Sequence, residues 1–147
     1  MRILAVSLLI HALWAGVTPS SWWVPNVTLV GLILSVARAP TRWLWLSVVA
    51  GLWLMVWAIR FPVQVMMSIL LVGWLVSFLA KHWDATDLRV QWVLATTASF
   101  LLVLAMLWLD GLWSVSLLGL ACGHSLLTGL VVPIARSLVL RIDGAPG

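Results

Sequence analysis

The sequence contains no glutamate and no tyrosine, a single cysteine and only four aspartates among 147 residues. Charged residues make up 8% of the chain, where a soluble domain carries roughly 25%. Too few charges are present to clothe a water-solvated surface, so the expected solvent for most side chains is lipid. The carboxylate shortage leaves almost no material for an acid–base pair of the kind that general catalysis uses. The lone Cys122 excludes an intrachain disulfide. Lying inside an apolar run, it is expected to be a buried thiol. Basic residues outnumber acidic ones, with a pI near 11.3, but the eight Lys and Arg are scattered singly. No basic stripe with interleaved aromatics forms, which argues against nucleic-acid binding.

What is present is hydrophobic length. Hydrophobic residues account for 64% of the chain, and mean hydropathy is +1.17. Charges and turn residues divide residues 1–147 into six helical spans of a single membrane domain, about 3–18, 25–39, 43–59, 62–80, 90–109 and 112–140. Pro25 and Pro62 are expected in first helical turns, where a missing N–H costs nothing. Several spans fall short of the ~20 residues that cross a ~30 Å hydrocarbon core, and such spans would thin the bilayer or lean on neighbours. Strands do not fit, because the runs are apolar on both faces rather than alternating. Arg2 and the apolar stretch Ile3 to Val17 have the form of a signal peptide. Ala15-Gly16-Val17-Thr18 offers no good small-x-small cleavage pattern, so an uncleaved first helix is expected.

With the N-terminus inside, Arg2, Arg38, Arg42, Lys81, Arg89, Arg136 and Arg141 all fall on the inner side and Arg60 alone on the outer. That bias predicts both termini in the cytoplasm. The turns near Thr18–Ser21, Arg60–Phe61 and Asp110–Gly111 are too short for an extramembrane domain. The longest polar stretch runs from Lys81 to Arg89. Twelve tryptophans gather at span ends: Trp14, Trp22, Trp23, Trp57, Trp108 and Trp113 outside, Trp43, Trp45, Trp83 and Trp92 inside. Indole favours the headgroup level because it is apolar with one N–H to satisfy. Only Trp53 and Trp74 lie deeper.

Few residues carry chemistry. Asp84 and Asp87 read as solvated loop residues, Asp143 as part of a frayed tail, and Asp110 as a headgroup-level residue within reach of a partner. Cys122-Gly123-His124-Ser125 is the only cluster resembling a catalytic group, but neighbours on a helix do not face one another. No Gly-x-Ser-x-Gly elbow and no His-Glu-x-x-His occur. No catalytic, metal or cofactor residue is therefore expected. His11 and His124 fall near mid-membrane, where an ionisable group is a functional candidate. A haem held between them would show as a Soret band. Gly119-x-x-x-Gly123, Gly51, Gly73 and Gly129 are expected to let helices pack closely, within the chain or with a partner's helix.

An ordered set of these features resembles the rod shape-determining protein MreD family. Helix two opens with Val24-Pro25-Asn26, continues Val27-Thr28-Leu29-Val30 and closes with Ala37-Arg38-Ala39-Pro40. Helix three carries Gly51-Leu52, and the last helix carries Pro133, then Arg136 and Arg141. The likeness spans roughly Ile3 to Ile142. It departs at Met55, where the family often has an acidic residue. The resemblance implies a non-catalytic scaffold of the cell-elongation machinery in a bacterial inner membrane. Its partners would be MreC and, through the complex, the glycosyltransferase RodA with its penicillin-binding transpeptidase. The family is similar in fold to the six-helix substrate-binding subunits of vitamin transporters, so the competing expectation is a small-solute carrier with Trp53, Trp74, His124 and Asn26 around a pocket. For a scaffold, partner contacts are expected at Asn26 and Asp110 near the outer side and at Arg38, Arg42 and Arg136 at the inner face, where arginines also anchor to anionic headgroups.

Overall fold

The computed structural model describes residues 2–17, 25–57, 62–112 and 114–142, with side chains at all of these but 15–17, 57 and 142. The expectations that fall on Thr18–Ser21, Trp22, Trp23, Arg60, Phe61, Trp113 and Asp143–Gly147, and on the side chain of Trp57, lie outside the described residues.

Six α-helices account for most of the described chain, and none of it is strand. They are α1 (Arg2–Val17), α2 (Val27–Arg38), α3 (Trp43–Trp57), α4 (Pro62–Leu79), α5 (Leu88–Leu109) and α6 (Val115–Ile142), with one 3₁₀ turn at Pro40–Arg42. Three of them, α4, α5 and α6, are long and apolar enough to cross a membrane, with mean hydropathies of 2.0, 2.1 and 1.8.

Local chemistry sets the ends. Pro25 is not in the first turn of α2 as expected. The helix starts after Asn26, whose side-chain oxygen accepts the Leu29 N–H at 3.0 Å, satisfying one of the donors that a helix start leaves open. At the other end Ala39 precedes Pro40, and the proline ring disfavours helical geometry in the residue before it. The chain turns once through Pro40–Arg42 and enters α3 directly. Helix α5 begins at Leu88, earlier than the charges suggest, because Asp87 caps it by accepting the Arg89 N–H at 2.7 Å. It ends where Gly111 takes φ +67°. The Gly111 N–H donates to Trp108 O and the Leu112 N–H to Leu107 O, the paired bonds of a Schellman stop, for which glycine alone adopts the left-handed backbone freely. Ser114 then caps α6 through the Leu117 N–H at 3.2 Å. Pro133 lies inside α6, and the helix runs on through it.

Helices pack chiefly as three neighbouring pairs, α1 with α2, α3 with α4 and α5 with α6. Helix α2 sits at the centre and touches all five others. Every residue from Val27 to Ala37 is buried. Its 12 residues measure about 18 Å at 1.5 Å per residue, too short to cross a bilayer, but a helix enclosed by protein does not meet lipid. The surrounding helices bury one stripe each: Val65, Ile69, Gly73 and Val76 on α4, Gln91, Ala95 and Ser99 on α5, Ala121, Ser125, Thr128 and Val132 on α6. Their spacing of three or four residues is one helical face.

The character of those faces is inverted relative to a water-soluble bundle. Small and polar side chains point inward, whereas Leu71, Leu101, Leu130 and Ile134 are each about 60% exposed. Apolar exposure on this scale exceeds what soluble monomers tolerate, and small inward residues are what close helix packing in lipid requires. Cys122, expected to be buried, is exposed on α6.

Candidate functional site

Two polar regions stand out within this apolar frame. The first surrounds the start of α2. The Asn26 N–H donates to Thr128 Oγ1 at 3.0 Å, the Ser99 hydroxyl donates to the same oxygen at 3.3 Å, and the Thr128 hydroxyl donates to His124 O at 3.0 Å. Thr128 thereby links α2, α5 and α6 through one saturated hydroxyl. Asn26, Ser99 and Thr128 are all buried. His11 on α1 is buried nearby, within electrostatic reach of His124. Because Thr128 lies near the middle of α6, Asn26 sits deep in the bundle and not at the outer rim. Its side-chain oxygen caps α2. The residues of Cys122-Gly123-His124-Ser125 diverge, with Cys122 and Gly123 exposed and Ser125 buried and donating to Ala121 O at 2.7 Å.

The second region is one end of the bundle, where the helix termini gather the basic residues. The Ser77 hydroxyl donates to Pro40 O at 3.0 Å, fastening the end of α4 to the turn after α2. Arg38 ends α2 between two cavities. The larger, about 580 Å³, is lined by Ile3, Ser35, Arg38, Thr41, Arg42 and Trp45 among others. The smaller, about 210 Å³, is lined by Leu34, Arg38, Thr86, Gln91, Arg136, Val139 and Leu140. Arg38 and Arg42 are exposed and Arg136 half-buried. Gln91 is 3% exposed. Its amide N–H donates to Ala85 O at 2.9 Å, while its Oε1 has no hydrogen-bond partner among the described residues. Ser35 Oγ, beside the larger cavity, likewise has none.

The adjoining loop is ordered by Asp84. Its Oδ1 accepts the Thr86 N–H at 3.0 Å and the Thr86 hydroxyl. These bonds, the hydroxyl first, hold the carboxyl below its ordinary range, with a smaller contribution from the Arg136 charge. Asp84 and Asp87 are both exposed, as expected of a solvated loop.

Asp110 is half-buried at the opposite end, where it caps α5 and borders a cavity of about 420 Å³ with Met106, Leu112, Leu117 and His124. Of the glycines expected at helix contacts, Gly51 lies against Met66 and Gly73 against Ser47, each so close that a Cβ would collide. Gly119 and Gly123 have open space beside them, with nothing among the described residues within reach of an added Cβ. Sequence reasoning passed over Gly31, which meets Ser7 of α1, and Gln91. A glycine in an otherwise apolar run, and a glutamine one turn inside a helix, were the available signals.

Arg38 and Arg136 are thus brought into one cavity from two helices, Arg42 lines the larger cavity on the other side of Arg38, and Asn26 and Asp110 lie elsewhere. Compared with known protein families, with curated proteins and with solved structures, the chain matches none.

Proposed function

We propose that the chain is a six-span protein of a bacterial inner membrane with both ends in the cytoplasm, and a divergent member of the MreD family. In this reading it is a non-catalytic scaffold of the cell-elongation complex. It binds an MreC-like protein and supports peptidoglycan synthesis by a RodA-like glycosyltransferase and its penicillin-binding transpeptidase. The observation that carries the reading is the inverted surface. Large aliphatic side chains face outward on α4, α5 and α6 while many polar side chains lie inside, so the chain meets a partner chiefly through helix faces. The gathering of Arg38, Arg42 and Arg136 at one end agrees with the charge bias that sets orientation. Gly119 and Gly123, one turn apart and open, mark where a partner helix would come closest.

A second reading, a small-solute carrier subunit, is favoured by the polar groups deep at the start of α2. Against it, Trp74 faces outward and stacks on Phe78 at 5.8 Å, away from any site that Asn26 and His124 would share. Mild-detergent pull-down with crosslinking and mass spectrometry separates the two. MreC-like and RodA-like proteins are the expected catch, whereas an ATPase with its coupling membrane subunit would replace the scaffold reading by the carrier one.

A further inference from the structure

The smaller cavity at the basic end has features that neither orientation in the membrane nor scaffolding requires. We propose that it is a binding site for a phosphate group carried on a small alcohol or amine.

Three observations converge. Arg38 from α2 and Arg136 from α6 line the same space. Guanidinium forks are suited to phosphate oxygens, and with five N–H donors each, a guanidinium already engaged elsewhere still has donors to offer. A cation at a helix C-terminus is also favoured by the helix dipole, which alone would explain Arg38 but not the rest. The second observation is Gln91. It is 3% exposed, lines the cavity, and has its amide nitrogen committed to Ala85 O and its Oε1 without a partner among the described residues. A buried carbonyl oxygen left this way calls for a donor. An esterified phosphate supplies none at neutral pH, since a diester has no O–H and a monoester has mostly lost its last proton, but a hydroxyl or ammonium beside it does. The third is size. About 210 Å³ falls below the ~300–1,000 Å³ of a site for a drug-sized molecule and suits a headgroup-sized ligand, with Leu34, Val139 and Leu140 as its apolar wall. Asp84 lies within electrostatic reach of Arg136, but its carboxylate is engaged by Thr86 and Asp84 does not line the cavity.

The same chemistry is offered by an anionic phospholipid headgroup and by a soluble phosphate ester. The protein is reconstituted in bilayer discs of pure phosphatidylcholine and of equal parts phosphatidylcholine and phosphatidylglycerol, and thermal unfolding is followed. Glycerol phosphate is added to the phosphatidylcholine discs as a separate arm. A raised midpoint with phosphatidylglycerol identifies a lipid ligand; a raised midpoint with glycerol phosphate identifies a soluble one. Either rise should vanish in the R38Q/R136Q double variant and survive in R89Q/R141Q, which removes the same charge from exposed positions outside the cavity. Should R38Q/R136Q fail to fold, R38K/R136K keeps the charge without the fork and should bind roughly tenfold more weakly. Q91L should abolish the preference for phosphatidylglycerol over phosphatidylmethanol, which has no headgroup donor. No rise with either ligand, or equal loss in R89Q/R141Q, would overturn the proposal and leave a diffuse surface charge.

Discussion

Glycine has two opposite uses in this chain, and only the neighbours distinguish them. Gly31 faces the Ser7 side chain, whose hydroxyl is held by Ile3 O at 2.8 Å, so an added methyl meets a group that is not free to swing away. Gly31→Ala should cost about 1–3 kcal/mol, the usual penalty of overpacking. Gly119→Ala and Gly123→Ala meet open space and should be neutral or up to about 1 kcal/mol stabilising through helix propensity. Unfolding in mixed micelles measures all three. If Gly31→Ala were as mild as the other two, the close approach of α1 and α2 would be wrong.

Asp84 allows a test in the loop after α4. Its carboxyl is held below the model-compound value of 3.8, first by the Thr86 hydroxyl and then by the Thr86 N–H. The folded value being the lower, the stabilisation is present above the unfolded value and is lost as pH falls through the folded one. A carboxyl-carbon NMR titration should give a midpoint below 3.8, and Thr86→Val should move it upward. A Thr86→Val midpoint equal to that of the parent would rule out the hydroxyl as the main cause.

Among the elements, α2 is the shortest helix and the most enclosed. Ile33 on α2 is 1% exposed and Ile134 on α6 is 61% exposed, which permits the same substitution in two surroundings. Ile33→Ala should cost about 2–5 kcal/mol, the loss for a packed core position. Ile134→Ala, which faces away from the bundle, should cost under about 1 kcal/mol. Equal costs measured by unfolding in micelles would mean that α2 is not the hub. The limits of the elements were partly legible. Pro40 and Gly111 announce stops, and Asn26 and Asp87 are good caps, yet Pro25 and Arg89 drew attention to themselves and away from Asn26 and Asp87. Proline and charge are conspicuous in a sequence, while a cap is recognised by the hydrogen bond it makes.

For the molecule as a whole, the proposed topology can be read with cysteines. Replacing the single Cys122 and then placing one cysteine at exposed Thr41, Thr86 or Ser114 gives three reporters. A membrane-impermeant maleimide should label Ser114→Cys in spheroplasts and reach Thr41→Cys and Thr86→Cys only after lysis. Labelling of all three, or the opposite pattern, would refute the orientation. At the proposed outer end, Asp110→Lys should weaken capture of the proposed MreC-like partner without loss of expression; an undiminished complex would remove Asp110 from the contact surface.

Composition and the positions of charge were sufficient to anticipate an all-helical chain with six helices, strongly apolar in its longest ones. These properties follow from residue counts and from the cost of placing polar backbone and charge in hydrocarbon, which any arrangement of the helices must respect. Which helix lies at the centre was beyond their reach. All six runs are similarly apolar, so hydropathy does not separate the enclosed α2 from the exposed faces of α4 and α6. That choice depends on where small side chains let two backbones meet, as Gly31 does with Ser7 and Gly73 with Ser47. The same holds for the cavity between Arg38, Gln91 and Arg136, whose members lie far apart in sequence and become neighbours only once α5 and α6 have closed against α2.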